Sequence, residues 1–264
     1  MLIVEQELCR PGAEVNEDLV WHDGHYAAVL DGSSTLAGAT HDAVGFVELF
    51  AKRFAAQAVR DMTLASCVNA AIASLRDEFV PSSYPEGIVP SAAGAFVRET
   101  DDALEVLSVA DCTVVVLLRD GSTTTVRDSA IDQLDAQVIK LACGIRSSTG
   151  QDISDVMRLP EVRAALLANR RLMNAPHGYR VLASNMRPLK GRSTRFDKAD
   201  VERVLVHSDG FDRAAVRLDL KDPELSLETL YQKLRAEELA DPRLNGIPRF
   251  KISDDASALL LRIG

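Results

Sequence analysis

The chain has 264 residues, 39 acidic and 30 basic, giving a formal net charge of -9. That balance argues against an extended nucleic-acid footprint, which needs clustered Lys and Arg. The longest strongly apolar run, residues 112–118, falls far short of the roughly 20 residues a membrane helix needs.

Residues 2–9 predict a first strand, ended by Arg10-Pro11-Gly12. Residues 19–21 and 26–30 flank His22-Asp23-Gly24-His25, a hairpin with an Asp-Gly turn. From His41 the period changes. Val44, Val47, Ala51, Phe54 and Ala58 recur at helical spacing, as do Leu64, Val68, Ala71, Leu75 and Phe79. Two amphipathic helices packed side by side follow, their stripes read as core. A loop spans residues 81–90. Strands are expected at 92–97, 104–109, 113–118 and 123–126, the last pair joined by Asp120-Gly121. A largely helical stretch runs from 129 to 173, broken near 144–150. Strands at 179–183 and 204–207, a helix over 225–239 and a final strand over 256–263 complete the order.

Strands grouped around hairpin turns, without regular βα alternation, predict antiparallel sheets in an α+β fold. No repeat, low-complexity tract or linker divides the chain, so one domain over 1–264 is expected. Leu259-Leu260-Leu261 must be buried, which closes the fold at its last strand. Cys9, Cys67, Cys112 and Cys143 are scattered without a CxxC pair. They read as reduced thiols of a cytoplasmic protein and argue against zinc. Residues 1–7 show no signal-peptide pattern, and no membrane association is expected.

Acidic residues recur at strand ends beside Gly or another small residue. Glu17-Asp18 precedes a strand, Asp31-Gly32 follows one, and Asp111 lies between two. Asp209-Gly210 follows residues 204–208, and Asp254-Asp255 opens the last strand. Any one Asp-Gly is an ordinary turn. Should the five ends converge, however, the carboxylates could not all stay ionised without cations. Oxygen-only ligation favours Mg²⁺ or Mn²⁺.

Asn16-Glu17-Asp18, Ala28-Val29-Leu30-Asp31-Gly32, Val109-Ala110-Asp111-Cys112, Val206-His207-Ser208-Asp209-Gly210 and Asp254-Asp255-Ala256-Ser257 occur in this order. In order and spacing they resemble the metal-dependent Ser/Thr protein phosphatases of the 2C type, over about residues 3–263. Residues 173–179 also look like a stretch found in some bacterial members. The resemblance implies a four-layer α-β-β-α sandwich, two packed antiparallel sheets flanked by helices. It implies hydrolysis of phosphoserine and phosphothreonine on proteins by a metal-bridging water at a two-metal centre. Asp31 would bridge the metals and the Gly32 carbonyl would reach the second. Asp209 and Asp254 would hold the first. Glu17 would support the second through water, Asp18 would orient metal-bound water, and Asp111 corresponds to a third, weaker position. Asp18, Asp31 and Asp209 are thus the catalytic set. The expected partner is a phosphorylated protein, and the expected state a monomer.

The sequence departs from the family pattern in several places. Ala13 stands where the family has a phosphate-binding Arg, and Arg10 is the nearby candidate to replace it. Asp31-Gly32-Ser33-Ser34-Thr35 replaces the usual Asp-Gly-x-Gly-Gly, Ala110 replaces a Gly, and Asp255 stands where many members have Asn. These changes favour one alternative, a catalytically weak binding or regulatory protein that keeps the fold, while the intact Asp31, Asp209 and Asp254 set argues against it; a phosphatase of a small phosphorylated metabolite is a third reading. His22, His25 and His41 are read as loop or cap residues, with general-acid work the alternative. His207 is expected to be structural or to lie behind the ligands. Arg170-Arg171, Lys190, Arg192 and Arg195 could attract a phosphorylated partner, solvated faces being the default.

Overall fold

The computed structural model describes residues 1–34, 42–59, 62–189, 193–241 and 250–264. In chain order the strands and helices are β1 (Leu2–Arg10), β2 (Asp18–His22), β3 (Tyr26–Ser33), α1 (Asp42–Gln57) and α2 (Leu64–Ala73). Next come β4 (Ser91–Glu99), β5 (Ala103–Val109), β6 (Thr113–Leu118), β7 (Thr123–Val126), α3 (Asp132–Thr149), α4 (Ile153–Val156) and α5 (Pro160–Arg170). The last are β8 (Thr194–Asp197), β9 (Val201–His207), α6 (Asp212–Ala215), α7 (Leu227–Ala240) and β10 (Ala256–Ile263).

The strands form two five-stranded sheets, ordered β1-β10-β9-β6-β7 and β2-β3-β4-β5-β8. Every pairing between these strands is antiparallel. Side chains alternate across a strand, and here both faces are covered. On β3, Ala27 and Val29 face the other sheet; with Val97 and Val106 of their own sheet they share a core with Val114, Val206, Leu259 and Leu261. Tyr26, Ala28 and Leu30 face outward and pack beneath Phe46, Phe50 and Phe54 of α1 and Val68 and Ile72 of α2. On the far side, Leu205 of β9 and Ala256, Ala258 and Leu260 of β10 pack against Phe211, Leu227 and Leu234. The result is the four-layer α-β-β-α sandwich. Because each sheet is covered on both faces, its central strands carry long buried runs, and all nine residues of β4 are buried.

The first sheet is closed by β10, which lies between β1 and β9. Leu259, Leu260 and Leu261 are fully buried there. A small separate core joins α3, α4 and α5, with Phe250 packed against it. Gly144 does not break α3, which runs on to Gly150, whose left-handed backbone caps it.

Two expectations are corrected. The segment 179–183 is not a strand. Its only sheet contact among the described residues is a bridge between Leu182 and Ala92, in which each N–H donates to the other's carbonyl at 2.8–2.9 Å. Pairing of β5 with β4 begins at Gly94, so Ala92 has a free edge that one residue satisfies. Conversely, β8 went unforeseen. Thr-Arg-Phe-Asp carries no apolar run, and it serves as a polar edge strand on β5.

Candidate metal centre

The two-sheet stacking brings the acidic strand ends to one rim. Asp18 opens β2 and stands directly opposite Asp31 of β3. Asp111 lies in the crossover from β5 to β6, which passes from one sheet to the other. The preceding Ala110 adopts φ +59°, a left-handed conformation that favours Gly. Asp209 follows β9, and Asp254 lies just before β10. Glu17, Asp31, Gly32, Asp111, Asp209 and Asp254 line one cavity of about 320 Å³. Asp18 lies just behind it, 7% exposed.

The energetics are those of crowded, buried acid. Burial raises the Asp31 carboxyl well above its ordinary value, and the charges of Asp18, Asp209, Asp111 and Asp254 raise it further. Asp209 is raised by burial and by Asp254, opposed by a side-chain hydrogen bond with Asp31. A hydrogen bond between two carboxyl groups needs a proton on one of them. Burial pushes Asp18 up to about 8, against a stabilising hydrogen bond from Ser208. Asp111 is likewise pushed up to about 8 by burial, with Asp209 adding to it.

The surrounding backbone holds this acid in place. Ser208 Oγ donates to Asp18 Oδ2 at 2.8 Å and accepts from the Ser257 N–H at 3.0 Å. Asp255 does not face the cavity. Its Oδ1 accepts from the Gly12 N–H and its Oδ2 from the Glu17 N–H, both at 2.7 Å. The Asp255 carboxylate therefore ties the first acidic motif to the last. A side chain at Gly210 would meet the Asp255 carbonyl oxygen at 1.8 Å, so Gly is required where this strand end crosses the loop before β10.

The donor set is all oxygen, and Asp18 Oδ1 is buried without a hydrogen-bond partner among the described residues. Both features fit hard divalent cations such as Mg²⁺ or Mn²⁺. The acids are nonetheless spread around the cavity: among the described residues no three His, Cys, Asp or Glu side chains form a ready-made metal cage. Other partners draw them apart. Asp254 Oδ1 accepts from Lys251 Nζ at 2.6 Å, and Glu17 accepts from the Ser34 hydroxyl. Burial alone would lower the Lys251 ammonium, but the Asp254 and Asp31 charges outweigh it and raise it.

The structure does not bring Arg10 to the cavity. Arg10 pairs with Glu228 at 3.3 Å, both side chains about half exposed, and Ala13 is exposed. The cavity's cations among the described residues are Arg170, from the end of α5, and Lys251. Asp135 of α3 and Tyr179 also line it. Burial, then Asp209, raises Asp135 to about 6. Arg170 was read only as a member of a basic pair, and Asp135 and Lys251 gave no signal beyond ordinary helix and loop charges.

His22 pairs with Glu7 and His25 lies beside Glu99; neither lines the cavity. His41, Thr35, Lys190 and Arg192 lie outside the described residues. Arg195 pairs with Asp102 at 2.8 Å, away from the cavity. His207 is buried with Nδ1 3.0 Å from the Ser208 carbonyl, and burial lowers it to about 4, so it is neutral at pH 7. Burial, followed by the Asp31 charge, raises the Cys112 thiol well above its ordinary value, which disfavours a thiolate nucleophile.

No protein-family model matches the chain, and no curated protein matches it. Solved structures do match in fold. The serine/threonine phosphatase PstP/Ppp of Mycobacterium tuberculosis is 15% identical, with 100% of this chain and 98% of that one covered at a TM-score of 0.58. The catalytic domain of PstP in complex with two manganese ions is 16% identical, 99% of each chain being covered at a TM-score of 0.58. The serine/threonine phosphatase Stp1 of Staphylococcus aureus is 12% identical, covering 99% of this chain and 95% of that one at a TM-score of 0.58. The chain thus has the fold of the bacterial 2C-type Ser/Thr phosphatases along its whole length, as the order of its acidic motifs implied.

Proposed function

We propose that the chain is a metal-dependent phosphatase that hydrolyses phosphoserine and phosphothreonine in proteins, acting as one domain over residues 1–264. The observation that carries this reading is the gathering of Glu17, Asp31, Asp111, Asp209 and Asp254, from both sheets, around one cavity in the fold of these phosphatases. Asp31, Asp209 and Asp254 with the Gly32 carbonyl would hold two divalent cations, Glu17 would support the second, and Asp111 would serve a third position. Cations held by these residues would supply charge to neutralise phosphate oxygens and to acidify a water for the attack. Asp18 positions the attacking water: its Oδ1, which has no partner among the described residues, is the acceptor, while Ser208 fixes the other oxygen.

A second reading, a weakly catalytic binding protein on the same fold, is favoured by the lack of a ready-made cage among the described residues. Release of phosphate from phosphoserine and phosphothreonine peptides in Mn²⁺ separates the two. The phosphatase reading expects turnover that Asp31→Asn and Asp209→Asn each reduce by at least about 100-fold. Equal inactivity of wild type and both variants, with the protein folded, supports the second reading.

A further inference from the structure

We infer that Arg170 is the residue that binds the substrate's phosphate, in place of the arginine this chain lacks at position 13. The inference rests on the phosphatase reading of the same cavity. Arg170 is the last residue of α5, far in sequence from every acidic motif, yet it lines the cavity beside Asp31, Asp209 and Asp254.

Its hydrogen bonds set it apart from the other arginines near the rim. Arg127 pairs with Asp132 and Asp212, and Arg10 pairs with Glu228. Arg170 makes no ion pair among the described residues. Its Nη1 donates to Ser91 Oγ at 3.2 Å and lies 3.7 Å from the Met173 sulfur, and its Nη2 donates to Ser33 Oγ. All three partners are neutral, so the positive charge stays uncompensated by direct contact. A guanidinium has five N–H donors. Nε and one Nη2 proton are left without a protein partner among the described residues. A guanidinium with two N–H groups to spare can grip a phosphate through two hydrogen bonds.

Position follows from the same contacts. Ser33 is the second residue after Asp31, so the bond to its hydroxyl ties the guanidinium to the proposed metal-bridging strand. Ser91 opens β4 and stands opposite Ser33 in register. The two serines therefore fix the cation at the edge of the acid cluster, where a phosphate dianion held by divalent cations would present its outer oxygens. Lys251, the other cation lining the cavity, is already paired with Asp254.

The test uses the full chain loaded with Mn²⁺. Inorganic phosphate binding is measured by calorimetry, and kcat and KM are measured with p-nitrophenyl phosphate, for wild type, Arg170→Ala, Arg170→Lys and Arg10→Ala. Thermal melting and Mn²⁺ affinity are followed in parallel. Loss of a charge-assisted, two-pronged contact should weaken phosphate binding and raise KM by roughly 10–100-fold in Arg170→Ala. Arg170→Lys should recover part of this, because it keeps the charge and loses the fork. Mn²⁺ affinity should stay within about 2-fold in both, and Arg10→Ala should match wild type. An active wild type whose phosphate affinity is unchanged in Arg170→Ala overturns the inference and leaves the phosphatase reading standing. A wild type that neither binds Mn²⁺ nor turns over substrate overturns both. Should Arg170→Ala fail to fold, Arg170→Lys alone decides: wild-type phosphate affinity in it refutes the two-pronged contact.

Discussion

The crowded carboxylates make the metal-free protein sensitive to pH in a direction opposite to ordinary acid denaturation. Asp18 is 7% exposed and pushed up to about 8 from an ordinary 3.8, chiefly by burial. The unfolded chain releases this proton near pH 4, whereas the folded chain keeps it to about pH 8. Between those limits the native state binds more protons than the unfolded state, so stability falls as pH rises. Below about pH 4 both states are protonated and the stability is fully retained. Each pH unit inside the window is worth about 1.4 kcal/mol per group. From pH 5 to pH 7 the loss is therefore about 3 kcal/mol, shared among Asp18 and the neighbours with which it titrates. For a chain of this size that lowers Tm by roughly 6 °C or more. Thermal melting of chelator-treated protein at the two pH values measures it. Asp18→Asn, which keeps an oxygen for Ser208 to bond, should remove about one group's share of the slope, with Asp31 and Asp111 keeping theirs, and melt higher than wild type at pH 7. Parallel pH profiles for wild type and Asp18→Asn would refute the idea that buried like charge governs this rim.

Three further perturbations have defined outcomes. Asp255→Asn, a change toward the common family residue, should destabilise the fold by about 1.5–3 kcal/mol in denaturant unfolding, because an amide can accept from Gly12 or Glu17 but not both. A neutral result would show that the two loops are held by something else. Gly210→Ala places a methyl 1.8 Å from the Asp255 carbonyl oxygen. It should cost at least about 3 kcal/mol and weaken Mn²⁺ binding as Asp254 shifts, read by melting and calorimetry together. Lys251→Met frees Asp254 from its ion pair; with 55% of the lysine side chain exposed, Mn²⁺ affinity should rise only about 2–5-fold. Weaker Mn²⁺ binding in that variant would mean that Lys251 assists the site.

How much of this was legible in the sequence depended on whether the signal was local. The burial of residues 259–261, the hairpin around Asp23-Gly24 and the two helices over β3 and β4 follow from apolar period, and all are present. The acidic strand ends were visible because each carries an abrupt change from apolar residues to Asp. Their order resembles that of a known family, and the two packed antiparallel sheets that this implies are present. Two kinds of feature escaped. Val181, Leu182 and Ala183 are buried like strand residues, but β4 offers that segment a single bridging residue. Arg170, Asp135 and Lys251 sit on amphipathic or polar stretches where a charge ordinarily faces solvent. Only the packing of α3 and α5 over the rim places Asp135 and Arg170 in the cavity, and no spacing in the chain encodes that; Lys251 enters it from the loop before β10. Asp255 shows the converse: its motif position pointed to the site, while its two hydrogen bonds make it a brace between loops.

The central claim is that the carboxylates at the sheet rim form a site for two divalent cations. Equilibrium binding of Mn²⁺ to the folded chain, counted by calorimetry on wild type, Asp31→Asn and Asp209→Asn, tests it most directly. About two ions per chain are predicted for wild type, with binding weakened at least about 10-fold by either substitution. Wild type that binds no Mn²⁺ at millimolar concentration, or variants that bind it equally well, would contradict the claim.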